Sequence, residues 1–143
     1  MGFMTKWGGP FGLIPRNLGD VYFVSPTASY TVEGRSYDAS DNNDGKSPER
    51  ALRTVAQAIT NATASAGDVI VLLNGTHTVT ATVAVSKAGL TFWGVSSGPQ
   101  TANTLRPASI LTSTGTNDQL LNITANNAEF AYLTIRPTTA FDA

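Results

Sequence analysis

Residues 41–75 read D-N-N-D-G-K-S-P-E-R-A-L-R-T-V-A-Q-A-I-T-N-A-T-A-S-A-G-D-V-I-V-L-L-N-G, and this stretch decides the fold. Its order of signals predicts a turn, a short helix and a strand. Asp41 to Gly45 carry turn chemistry, because Asn and Asp side chains bond their own backbone and Gly45 accepts a positive φ. Ser47 suits an N-cap, Pro48 the first helical position, and Glu49 the positive end of the helix dipole. The helix is expected over about 48–62. Leu52, Val55, Ile59 and Ala62 form one apolar stripe, with Arg50, Arg53 and Gln57 off it, so Leu52, Val55 and Ile59 are the expected core-facing side. Ala66-Gly67 stops the segment and Asp68 leads into Val69–Leu73. That run is apolar on both faces, as in a strand buried in a parallel sheet. A helix this short does not stand alone in water, so it must lie across the end of the strands that follow.

The rest of the chain sets the class. With 143 residues it is long enough for one domain with its own core. Hydrophobic residues make up 41% and charged residues only 13%, against a usual quarter. Ala, Thr, Asn, Ser and Gly fill the difference, a β- and turn-rich composition. Nine basic and ten acidic residues leave a net charge of −1 with no basic cluster, so the electrostatic footprint of a nucleic-acid binder is missing. Cysteine is absent, which excludes disulfides and thiolate metal sites. No apolar run has the length of a membrane span.

Ahead of the helix, residues 1–20 form a candidate arm. Gly8, Gly9, Pro10, Gly12 and Pro15 interrupt every possible signal-peptide centre and every helix. Phe3, Trp7, Phe11, Leu13 and Ile14 are nonetheless too apolar for an idle tail. They either fold back on the domain or serve as a partner-binding arm, with Trp7 and Phe11 filling pockets on another subunit. Val21–Val24 reads as a short strand. Ala28–Asn43 reads as a surface excursion with a strand at Tyr30–Val32.

Beyond Asp68, apolar stretches recur at Val69–Leu73, Val83–Val85, Leu90–Trp93, Ile110–Leu111, Leu120–Ile123 and Phe130–Ile135. Val69 to Leu90 is an interval of about 21 residues, and Leu90 to Phe130 is about twice that, with Gly94–Ala108 as a loop insertion. The expected organisation is therefore an arm at 1–20, an opening strand, loop and helix at 21–66, and stacked coils at 67–143. Val71, Phe92 and Leu133 are the expected vertical neighbours.

Asp-Gly-Lys-Ser-Pro at 44–48, Ala51, Thr54-Val55, Ala58-Ile59, Ala66-Gly67-Asp68 and Leu73-Asn74-Gly75-Thr76 together resemble the opening of right-handed parallel β-helix proteins of the pectate-lyase-like kind. Asn126–Arg136 resembles their end-of-coil phrase, an Asn turn before an alternating strand. The resemblance covers about residues 22–137 and implies an all-β fold of about three coils with a capping helix. It implies little about activity, because lyases, hydrolases, bacterial surface adhesins and phage spikes share this opening. The arm before the coils resembles phage spikes and fibres, which are commonly homotrimers.

Candidate chemistry is sparse. Asp38, Asp41, Asn42 and Asp44 suggest calcium, but the spacing fits an EF-hand loop poorly and Ala51 stands where its Glu belongs; an Asx-rich turn is expected, with no metal. His77, the one histidine, is expected to be structural. After the helix only Asp68, Asp118, Glu129 and Asp142 are acidic, and no two share a motif, so neither the carboxylate pair of a glycosidase nor a lyase site is legible. No cofactor is expected. Asn61, Asn74 and Asn122 stand in N-x-T sequons, which matter only after export through a glycosylating compartment. The expected function is a virion-attached structural or adhesin protein of a bacteriophage, held to other virion proteins by its arm and projecting towards a host-surface polysaccharide. Its rivals are the N-terminal part of a polysaccharide lyase or glycoside hydrolase, and a bacterial surface glycan-binding β-helix. The missing signal peptide argues against both rivals.

Overall fold

The computed structural model describes residues 19–95, 109–114 and 119–136. The arm residues Phe3, Trp7, Phe11, Leu13 and Ile14 lie outside the described residues, as do Asp118, Asp142 and most of the loop at 94–108. Strand β1 (Val21–Val24) is followed by a hairpin of β2 (Ser29–Val32) and β3 (Arg35–Asp38), a 3-10 turn at Pro48–Arg50, and helix α1 (Val55–Asn61). Eight strands come next: β4 (Val69–Leu72), β5 (Gly75–Val79), β6 (Val83–Val85), β7 (Thr91–Gly94), β8 (Ser109–Ser113), β9 (Leu121–Ile123), β10 (Glu129–Ala131) and β11 (Leu133–Arg136). Strands dominate, α1 is the one α-helix among the described residues, and all pairing outside the hairpin is parallel, in keeping with an all-β class.

The parallel strands form three ladders, ordered β1-β4-β7-β10, β11-β8-β5 and β6-β9. From β4 on, each strand thus pairs with the one three places later. Val69 stands opposite Thr91 and Thr91 opposite Glu129; the long connection between β7 and β8 leaves that order intact. Positive φ recurs two residues before each later strand of the first ladder, at Gly67 (77°), Gly89 (73°) and Asn127 (57°). Glycine takes that conformation without steric cost, and Asn is among the few other residues that tolerate it.

Two apolar clusters sandwich the first ladder. Tyr22, Val24, Ile70, Leu72 and Phe92 point to one side with Leu52, Val55, Ile59, Val83, Val85, Leu90, Leu111 and Leu120. Phe23, Val69, Val71, Leu73 and Val95 point to the other, with Ala51, Tyr30 and Trp93. β4 is accordingly buried along its whole length, as its unbroken apolar run predicts. The expected neighbours Val71, Phe92 and Leu133 do not stack. Phe92 lies opposite Ile70 and Phe130, with the two Phe rings stacked at 4.7 Å, whereas Val71 faces the other cluster opposite Trp93. Leu133 belongs to β11, opposite Ser109. A shift of one residue in pairing moves a side chain to the opposite face, so an approximate interval cannot choose between Val71 and Ile70.

The helix is shorter than the expected 48–62. Ser47 makes no side-chain cap bond and leads only into the 3-10 turn; Ala51 is extended. The true N-cap is Thr54, whose Oγ1 accepts from the Gln57 amide at 3.2 Å. Tertiary hydrogen bonds hold the intervening residues out of the helix. Leu52 donates its amide to the Phe23 carbonyl at 2.8 Å and accepts from Ser25 at 2.9 Å, covering the free edge of β1. Asp41 Oδ1 accepts from the amides of Arg53 and Thr54, both at 2.9 Å. Helix propensity is worth only tenths of a kcal/mol per residue, about 0.7 at most for ordinary residues, so such bonds override it. Leu52, Val55 and Ile59 are all buried, Leu52 from its bridge to Val24 rather than from a helix face.

Three further stretches differ from expectation. The excursion at 28–43 contains the hairpin, turned by Glu33 and Gly34 with φ of 49° and 79°, the two positive values of a type I′ turn. Gly75–Val79 is a strand with His77 inward and Thr76 and Thr78 outward. Phe130–Ile135 is broken between two ladders at Tyr132, whose φ is 56°. No helix among the described residues is long and apolar enough to cross a membrane.

Candidate functional site

A groove of about 770 Å³ lies between α1 and the first strands after it. Val55, Ala56, Ile59 and Thr60 form the helical wall, and the chain from His77 to Lys87 forms most of the other. α1 packs against β1, β4 and β6, so it lies across one end of the ladders with its buried side fixed by Val55, Ala58 and Ile59. The groove is the remaining space beside it.

Two cations bracket the groove, and none of its lining residues is acidic. Arg53, just ahead of α1, donates Nη1 to the Pro26 carbonyl at 3.2 Å. Lys87 Nζ donates to the carbonyls of Thr60 at 2.7 Å and Ala62 at 2.6 Å. These carbonyls lack helical partners at the negative end of α1, so a lysine there satisfies hydrogen bonds and dipole together.

His77 forms the groove's inner wall. Its side chain is 3% exposed, and Nε2 lies 2.7 Å from the Leu73 carbonyl, which can only accept, so Nε2 carries the proton. Burial lowers its pKa to about 4, the Leu73 carbonyl opposes the shift, and the charge of Arg53 adds to it. The ring is therefore neutral near pH 7, with its proton committed to the backbone. That geometry makes His77 a structural link between β5 and the turn before it, not a general base poised over the groove.

The other sequence candidates are also engaged by the chain's own donors. Asp41 holds the start of α1 and additionally accepts from Thr54 Oγ1 at 2.9 Å. Asp44 accepts from the Lys46 amide at 3.1 Å, an Asx turn, and pairs with Arg50 at 3.4 Å. Asp38 accepts from Ser29 Oγ at 2.8 Å. Among the described residues no three His, Asp or Glu side chains gather as metal ligands. Asp68 is 1% exposed and accepts from the amides of Asp20 at 2.8 Å and Thr63 at 2.7 Å, pinning both approaches to β4. Glu129 is exposed at the start of β10. Among the described residues no three acidic candidates gather in one place, whereas His77, Arg53 and Lys87 line one groove. Sequence reading missed that grouping because Arg53 stands out only as a residue off the apolar stripe and Lys87 belongs to no motif; the closing of α1 onto Lys87 is the signal, and it is tertiary.

Comparison with family models, with curated proteins and with solved structures finds no match to this chain.

Proposed function

We propose that this chain is the opening part of a right-handed parallel β-helix, and that it serves as a virion-attached structural or adhesin protein of a bacteriophage. The observation that carries the reading is the strand order: β4, β7 and β10 share one ladder, β5, β8 and β11 a second, β6 and β9 a third. A chain that winds in a coil and adds one strand to each of three ladders per turn produces this order. The repeated left-handed residue before β4, β7 and β10 is what such a coil needs at a recurring corner. The helix and the segment from Gly45 to Leu52 cover the first coil, which suits an opening rather than a middle segment.

The virion role rests on the apolar arm before the coil and on the structural use of the polar groups above. In this reading Phe3, Trp7, Phe11, Leu13 and Ile14 dock on other virion proteins, the protein is a homotrimer, and the coil projects towards a host-surface polysaccharide. Gly19 and Asp20 belong to the body, since Asp20 bonds Asp68 and pairs with Lys46 at 2.6 Å, so an arm deletion should stop at residue 18.

Light scattering on the full chain and on a chain lacking residues 2–18 tests the reading. A trimer that persists without the arm, with unchanged circular dichroism, is the expected result. A monomer in both would overturn it and favour the N-terminal part of a monomeric polysaccharide-degrading enzyme.

A further inference from the structure

The groove beside α1 runs along a strand edge, not across a sheet face. Along a strand, successive side chains point to opposite sides, so a groove over one face meets only alternate residues. This groove is lined by inward His77, Val79 and Val83 and by outward Thr78 and Ala84 alike. Only an edge offers both sets.

The ladder bonds show which backbone groups lie on that edge. Val83 donates its amide to the Leu120 carbonyl at 3.0 Å, and the Val85 carbonyl accepts from Thr124 at 3.1 Å. In a parallel pair the N–H and C=O of one residue point to the same side and alternate along the strand. The amide and carbonyl of Ala84 therefore point away from β9. By the same argument the Val79 carbonyl, accepting from Thr114 at 3.0 Å, turns Thr78 away from β8. Among the described strands, β5 and β6 each have one ladder neighbour.

The geometry points to a docking site for an extended, acidic peptide segment of a partner protein, laid as an added strand along β6 between Arg53 and Lys87. Its backbone would bond Ala84, its apolar side chains would rest on exposed Ala56 and Ala81 and half-buried Val79, and its carboxylates would meet the two cations. Strand addition draws affinity from main-chain bonds and specificity from alternate side-chain positions. The length fits. Arg53 and Lys87 bracket α1, a helix about 10 Å long, which about three to four extended residues span. The volume is that of a ligand cleft, within about 300–1,000 Å³. Charge selects the partner, since two cations without a lining carboxylate favour an acidic strand over a basic one.

Fluorescence anisotropy on the full chain tests this with three probes: a labelled octapeptide of alternating Val and Glu, its Val and Lys counterpart, and a hyaluronan octasaccharide. The Val/Glu peptide should bind at least about tenfold more tightly than the Val/Lys peptide, and more weakly as salt rises. Arg53→Glu, at an exposed position, should weaken it about tenfold. Ala84→Pro removes an edge donor that proline can lack on an edge strand, and should weaken it similarly with circular dichroism unchanged. Should that variant unfold, Arg53→Glu alone decides. Equal binding of both peptides, no binding of either, or binding of hyaluronan in preference to the Val/Glu peptide would overturn the proposal.

Discussion

The two ends of the stacked strands are built from similar residues and have opposite surroundings. At the α1 end, Phe23, Val24, Leu52 and Ile70 are all fully buried. At the other, Ile123 is 48%, Tyr132 63% and Ile135 44% exposed, although β9, β10 and β11 are as regularly paired as the strands behind them. An apolar residue on a parallel strand is dry only when another layer lies beyond it. The first strands have such layers in α1, the hairpin and the segment at 45–52, whereas each of β9, β10 and β11 has one ladder neighbour among the described strands.

Truncation should expose this difference most strongly. Phe92→Ala empties a site between Ile70 and Phe130 and should cost about 3–5 kcal/mol, read from urea unfolding. Ile135→Ser should change stability by no more than about 0.5 kcal/mol, because the residue is already half in water. A loss at Ile135 as large as that at Phe92 would mean that another molecule covers the far end in solution, and the comparison would fail.

His77 places a pH dependence at the buried end. Its pKa falls from 6.5 to about 4 on folding, so the unfolded chain takes the proton first as pH drops. Stability from the neutral ring is complete above about pH 6.5 and is lost between there and pH 4, by about 3 kcal/mol. His77→Gln keeps a donor for the Leu73 carbonyl but does not titrate. Unfolding free energies at pH 7 and pH 4 should therefore fall by about 3 kcal/mol more in the parent than in the variant. Equal losses would show that water reaches the ring, and the α1 end would be less dry than its packing indicates.

Asp68 gives a smaller effect at the same end. Both its oxygens accept amide protons, so in Asp68→Asn one acceptor becomes a donor facing another donor. The variant should lose about 2 kcal/mol. A neutral result would mean that the approaches to β4 rearrange freely, contrary to a pinned opening.

Much of the fold was legible in the chain because strands buried on both faces leave unbroken apolar runs. Val69–Leu73 is such a run and Leu90–Trp93 is interrupted only by Thr91; both overlap strands of the central ladder. The turn at Gly45 was legible too, its φ of 68° lying in the left-handed region that favours glycine. Gly75–Val79 was not, because G-T-H-T-V alternates polar residues with a histidine, and His77 counts as core only once Leu73 has taken its proton. Register was not legible either, since choosing Ile70 over Val71 beneath Phe92 needs the two side layers in place. The groove was the least legible feature. Its walls are separated in sequence, and its edge character depends on which way the Ala84 and Thr78 backbones turn.

The start of the helix offers the finest test, because sequence and structure favour different residues. Ser47-Pro48-Glu49 carries every local mark of a helix start, yet its side chain caps nothing, while Thr54 accepts the Gln57 amide and is held by Asp41. Thr54→Ala should cost about 1 kcal/mol and Ser47→Ala no more than about 0.5 kcal/mol, measured by urea unfolding. The order matters more than the size. If Ser47→Ala were the costlier change, α1 would extend back through Leu52 in solution, and the bonds of Leu52 to Phe23 and Ser25 could not form. The edge of β1 would then be bare, and the two ends of the ladders would differ far less than they do here.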